Sequence, residues 1–141
     1  MKKALSVFLA LILCFSVLSA PASAAGENDP ITPRYTNATV VKVVLSIDDS
    51  GLATINSSCT AIPGTTWIRA TTYLEKKVNG TWTRVDILST DDQWVTMINT
   101  RVFSVTKTHQ LTSRGTYRAV TTFDVIAETT ETITVMSQRT Y

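Results

Sequence analysis

The residues of this chain that could do chemistry are few: one histidine, two cysteines, two pairs of adjacent aspartates and a scatter of large aromatics. Cys14 lies inside an apolar run, which leaves Cys59 as the only thiol outside it and leaves no intrachain disulfide to expect. A transition-metal site needs three or four converging His, Cys or carboxylate ligands, and His109 and Cys59 fall on different strands. A hydrolytic triad needs a histidine beside a nucleophile and an orienting carboxylate. His109 sits in "TKTHQL" with no nucleophile elbow, so it reads as an exposed strand residue and no enzyme is expected. Asp48-Asp49 and Asp91-Asp92, joined by Glu128 and Glu131 if the loops met, offer oxygens for calcium. Aspartates in tight turns more often cap the backbone, and their spacing matches no calcium loop, so neither metal nor cofactor is expected. Trp67, Tyr73, Trp82 and Trp94 are the binding candidates, as an aromatic platform for a glycan ring or a partner surface. Against that stands a purely structural role, since outward aromatic pairs on a sheet stabilise it by ~0.2–1 kcal/mol each.

These residues have to be positioned by a short exported chain. Lys2 and Lys3, the apolar run from Ala4 to Leu18 and the small residues Ala22-Ser23-Ala24 are the three parts of a cleavable signal peptide, residues 1–24. The apolar run is shorter than the roughly 20 residues a membrane span needs, so no membrane insertion is expected after cleavage. The location expected is extracellular, with association to the cell envelope open. The 13 Lys and Arg fall to 11 with Lys2 and Lys3, against 11 Asp and Glu, so the mature chain is formally neutral. Scattered charges of that balance give no footprint for nucleic acid or anionic lipid.

From Gly26 the sequence "GENDPITP" has two prolines and no period, and residues 25–37 read as a flexible tether before a domain over 38–141. That domain is expected to be all-β: seven or eight Thr-, Val- and Ile-rich runs separated by turn signals, an antiparallel β-sandwich. Period-2 alternation points Val41, Val43, Leu45 and Ile47 inward, then Ala53, Ile55, Ser57, Cys59 and Ala61, then Ile68, Ala70, Thr72 and Leu74. Trp67, Arg69, Thr71, Tyr73 and Glu75 take the opposite face. Asn79-Gly80 marks a hairpin, after which Val85 and Ile87 point inward and Trp82, Arg84 and Asp86 outward. Phe103 and Val105 share parity with Lys107 and His109, which predicts a bulge or a strand running past the core. Tyr117, Ala119, Thr121, Phe123 and Val125 form the next inward row, and Ile133 and Val135 the last.

The order of these runs resembles an immunoglobulin-like sandwich, with a fibronectin III-like arrangement equally open. In "LTSRGTYRA", Tyr117 is similar to the tyrosine of the corner before strand F, whose hydroxyl ties back to the backbone near Leu111 to Arg114. The second cysteine of antibody domains would fall at Ala119, opposite Cys59, and the strand-C tryptophan is not obvious because Trp67 has outward parity. Cys59 therefore reads as a small buried hydrophobe. More narrowly, "ITPRYTN", "GLATI", "NGTW", "GTYRA" and "ETIT" resemble an uncharacterised family of small secreted proteins of Gram-positive bacteria, a domain of unknown function. The resemblance implies fold and address and no activity. The expected role is that of a monomeric binding module for an extracellular or envelope protein or glycan. The alternative is a structural or self-associating envelope component, and a hydrolase or calcium-dependent binder comes last.

Overall fold

The computed structural model describes residues 34–141; the expected signal peptide and the first part of the tether lie outside the described residues. Eight strands form two antiparallel sheets: β1 (Ala38–Ile47), β2 (Leu52–Ala61), β3 (Trp67–Val78), β4 (Thr81–Arg84), β5 (Trp94–Ile98), β6 (Val102–Gln110), β7 (Thr116–Ile126) and β8 (Thr130–Thr140). The smaller sheet has the order β1-β2-β6 and the larger β4-β3-β7-β8, with β5 also on β3. The result is the expected β-sandwich. β4 pairs with Glu75–Val78 and β5 with Ile68–Thr72, so one edge of the larger sheet is a single line of pairing broken where the chain leaves it between Arg84 and Trp94.

Alternation decides what is inside. Every second residue of β2 from Ala53 to Ala61, of β3 from Ile68 to Leu74 and of β7 from Tyr117 to Val125 is buried. The core has two halves. Cys59, Ile68, Phe103, Phe123 and Val125 belong to one, where the rings of Phe103 and Phe123 meet edge to face at 5.7 Å. Leu45, Ile55, Leu74, Tyr117 and Ala119 belong to the other. Between them lie three buried hydroxyls: Thr121 Oγ1 is 2.9 Å from Ser57 Oγ and 3.0 Å from Thr72 Oγ1. They satisfy one another inside the core, where an unpaired hydroxyl would cost about 1–3 kcal/mol.

Local signals set the turns. Asn79 and Gly80 both take positive φ, 50° and 86°, the two-residue turn whose twist suits a hairpin. Asp48 Oδ1 accepts from the backbone N–H groups of Ser50 and Leu52 and from the Ser50 hydroxyl, closing β1 onto β2.

Three expectations change. Of the two alternatives for β6 the bulge fails, since β6 pairs with β2 without a break from Gln110 to Val102, and the strand running past the core is what is seen, with Lys107 and His109 only half-buried; the irregular register lies in β1, between Ala38 and Val40. The domain also starts before Ala38. The Glu131 carboxylate accepts from the N–H groups of Thr36 and Asn37 at 2.7 and 2.6 Å, and the Asn37 amide donates to the Thr129 carbonyl at 2.8 Å. Tyr35 packs on the core behind them, so residues 35–37 belong to the sandwich and not to a tether. Finally, Ala119 does not face Cys59. The Ser57–Thr121 contact puts those two residues level across the sheets, which brings Phe123 level with Cys59 and Ala119 level with Ile55.

Candidate functional site

The four candidate aromatics do not make one platform. Trp67, 39% exposed, lies at the far end of β3, opposite Ile126. Trp94 pairs with Thr72, an inward position, and packs on the Tyr117 half of the core. Tyr73 and Trp82 share the outer face, but cations occupy their rings. The Arg84 guanidinium lies 3.3 Å from the centroid of Tyr73, and the Arg118 guanidinium and the Lys77 ammonium lie 4.4 and 5.8 Å from that of Trp82. Such stacking contributes ~0.5–1 kcal/mol at an exposed site, and it leaves each of these two rings with a face already taken. Val120, outward by parity, is 3% exposed because Tyr73 and Met136 flank it in register.

A concave site instead lies at the broken edge. After Arg84 the chain makes one more sheet contact, from the Val85 N–H to the Leu74 carbonyl at 3.0 Å, and then loops out until Trp94. The loop holds its own shape. Asp86 Oδ1 accepts from the Leu88 N–H at 2.8 Å, Asp92 Oδ1 from the Ile87 N–H at 3.3 Å, and Ser89 exchanges two hydrogen bonds with the Gln93 backbone. Ile87 turns into the domain, while Leu88, at φ 57°, points into solvent and is 92% exposed. Leucine rarely adopts that backbone, and such strain persists only where its surroundings hold it.

Between this loop and the turn from β6 to β7 is a cleft of about 560 Å3, within the range of small-ligand sites. Its walls are apolar at Val78, Val85, Leu88 and Leu111. Its polar lining includes Lys76, Asp86, His109 and Ser113, while Arg84 borders it with its guanidinium turned to Tyr73 on the outer face. Lys76 Nζ donates to Ser113 Oγ at 2.7 Å and stands 5.6 Å from the Tyr117 ring centroid. Tyr117 donates its hydroxyl to the Ser113 carbonyl at 2.6 Å, inside the segment where the sequence puts its acceptor. The turn is thus fixed from below by Tyr117 and from the side by Lys76. Among the described residues the ion pairs are Arg69–Asp124 and Arg118–Glu75, so neither Lys76 nor Arg84 has a carboxylate partner.

The same broken edge accounts for the inward parity of Lys107 and His109. With β4 ended and β5 not yet begun, their side chains meet openings rather than core: His109 lines the main cleft, and Lys107 a smaller one beside Trp94 and Asp91. Lys76 and Leu88 went unnoticed as a pair in the sequence. The available signal was the "STDDQ" interruption straight after a two-residue hairpin.

The acidic candidates stand apart. Asp48 is occupied by its turn, and those hydrogen bonds, the Ser50 hydroxyl first, hold its carboxyl below the usual value. Asp92 caps its own loop, Glu131 holds Thr36 and Asn37, and the described residues contain no group of three or more His, Cys, Asp or Glu able to hold a metal. Cys59 is 1% exposed and free; burial chiefly, with the Glu131 charge second, pushes its thiol up to about 11. A thiol so protonated is a packing group. No family model matches the sequence, nor does any curated protein, and the site stands on geometry alone.

Proposed function

We propose that this chain is an exported binding module that takes its ligand in the cleft at the broken edge of the larger sheet. One observation carries the reading: a mostly apolar cleft of about 560 Å3 into which Lys76 reaches without a carboxylate partner among the described residues, beside a rim loop with a strained, exposed leucine. Pockets with apolar walls and a few convergent polar groups are where small ligands bind. The sandwich is read as immunoglobulin-like in its fibronectin III-like form, because the strand after β3 stays on the β3 edge instead of joining β6. The signal-peptide pattern and the resemblance to small secreted proteins support export, and neither names a ligand.

Cleavage after Ala24 is expected, so the secreted protein should start at Ala25 by mass spectrometry. The binding reading is tested on that 15N-labelled mature chain, titrated with a collection of small fragments. Amide shifts are expected to gather at Lys76, Val85, Leu88 and residues 109–113. Hits that move other surfaces and leave these amides still would overturn the assignment of the cleft.

A further inference from the structure

The broken edge of the larger sheet leaves β5 with one side unpaired. The Val85 N–H donates to the Leu74 carbonyl, so Leu74 turns its backbone groups toward that edge, and at period 2 so do Thr72, Ala70 and Ile68. Their partners in register are Trp94, Thr96 and Ile98. Those three spend their N–H and C=O groups on β3, while Val95 and Met97 present theirs to the open side. Gln93, next on that parity, offers nothing, because the Ser89 hydroxyl takes both its N–H and its carbonyl.

The side chains of β5 do not protect this edge. The run from Trp94 to Ile98 has no charge, proline or glycine, and Val95, Met97 and Ile98 are 57%, 49% and 39% exposed. Val95 and Met97 stand on the outer face, in register with Thr71 and Arg69, and Trp94, Thr96 and Ile98 on the inner. Edges that stay single are usually blunted by charge, proline, a bulge or shortness. Across the open flank β6 has Lys107 and His109 on its inward row, and β4 stops after four residues at Arg84.

The order of residues in β5 fits a particular occupant. When two identical strands pair antiparallel about Thr96, Val95 comes opposite Met97 of the second copy, Trp94 opposite its Ile98, and Thr96 opposite its own counterpart. Every apolar side chain then meets an apolar one, and no charge is buried. The same register makes Val95 and Met97 the hydrogen-bonded pairs, and these are the residues whose backbone groups are free. Centring the pairing on Val95 instead would set Trp94 opposite Thr96 and Asp92 opposite Ile98.

We infer that β5 is a self-association edge, on which two copies of this chain pair antiparallel about a two-fold axis at Thr96 and join their larger sheets. Such an interface presents the same patch from both copies and closes at two. A strand pair of this length falls at the small end of interfaces, below ~1,200 Å2, so the dimer forms reversibly. None of the residues lining the cleft lies on β5, and the contact does not depend on what the cleft holds.

The test is sedimentation of the mature chain between about 20 µM and about 1 mM, where weak complexes become half-formed, with 15N spectra at both ends of that range. The mass is expected to rise toward that of a dimer, and the amide shifts to gather at Trp94 to Ile98. Val95→Glu and Met97→Lys, both at exposed positions, should each weaken association by about tenfold or more, because each sets a lone charge against an apolar side chain. Mixing the two variants in equal amounts, or combining both changes in one chain, should restore association, since position 95 of one copy faces position 97 of the other and carboxylate then meets ammonium. That recovery also shows that the single variants are folded. Thr96→Cys should cross-link the two copies on oxidation, as opposed residues of a non-hydrogen-bonded pair lie ~4.5 Å apart at Cα, within disulfide reach. A mass that stays monomeric over the whole range means that a second copy is not the occupant and overturns the inference, as does a dimer whose shifts fall on β6. In a chain that dimerises, failure of either the recovery or the cross-link shows that the strands do not meet about Thr96 and overturns it as well.

Discussion

Tyr117 ties together three parts of the molecule: its ring lies in the core, its hydroxyl donates to the Ser113 carbonyl, and Lys76 stands over its ring. Tyr117→Phe keeps the first and third and removes the second. The Ser113 turn is at the surface, where water can replace part of the lost bond, so a stability loss of about 1 kcal/mol is expected in urea unfolding. An unchanged midpoint would mean that the hydroxyl does not hold the turn. Cys59 acts through protonation. Its folded value of about 11 is raised from the ordinary 9.0, so below pH 9 both folded and unfolded chains hold the proton and the stabilisation is complete. As pH rises above that, the unfolded chain ionises first, and stability on the order of 2–3 kcal/mol is lost by about pH 11. Cys59→Ala lacks this loss. Its deficit against wild type should shrink between about pH 9 and pH 11 in paired denaturation curves, and a constant deficit would show a thiol that titrates normally. A thiol reagent should likewise label the native protein far more slowly than the unfolded one.

Between elements, the Ser57–Thr72–Thr121 hydroxyls set how the two sheets lie over each other. Thr121→Val leaves Ser57 and Thr72 only each other, 3.5 Å apart, and should cost ~1–3 kcal/mol. Replacing all three by apolar residues of similar shape removes the unmet polar groups together and should cost much less than the single change. Equal costs would show that the trio is not coupled. Ala119→Cys examines the same level from another side, and both thiols should stay free under oxidising conditions, because Ala119 is level with Ile55 and not with Cys59. That correction shows what was legible in the sequence. Period-2 alternation reports which face a residue takes, and the inward rows of β1, β2, β3 and β7 follow it. It carries no information on which rows meet across the core, so the Cys59–Ala119 pairing, borrowed from antibody domains, was four residues out, with Phe123 at the level of Cys59. The cleft was hidden for a related reason. Lys76, Leu88 and His109 line one cleft only because β4 stops early, and each alone looks like an ordinary surface residue.

At the scale of the molecule, the sandwich has one closed flank and one open. On the closed flank β1 lies by β8, with the Leu45 N–H donating to the Ser137 hydroxyl at 3.1 Å, and Glu131 fastens residues 36 and 37 near it. The open flank runs between β6 and the broken β4–β5 edge. There the nine residues of β6 carry one row of backbone groups beyond β2, without a proline or a bulge to blunt them. A strand of that length is a template on which identical chains can stack into fibrils. Lys107 and His109 change the outcome, since an ammonium and an imidazole on the inward parity of an edge must stay hydrated, and a second chain docked on β6 would strip that water. Lys107→Val with His109→Val should leave the monomer folded and shorten the lag before thioflavin-positive fibrils form, whereas an unchanged lag would place the protection elsewhere. The two residues that break the alternation of β6 then act as gatekeepers of its unpaired edge, in a domain whose one described cysteine is free and adds no cross-link.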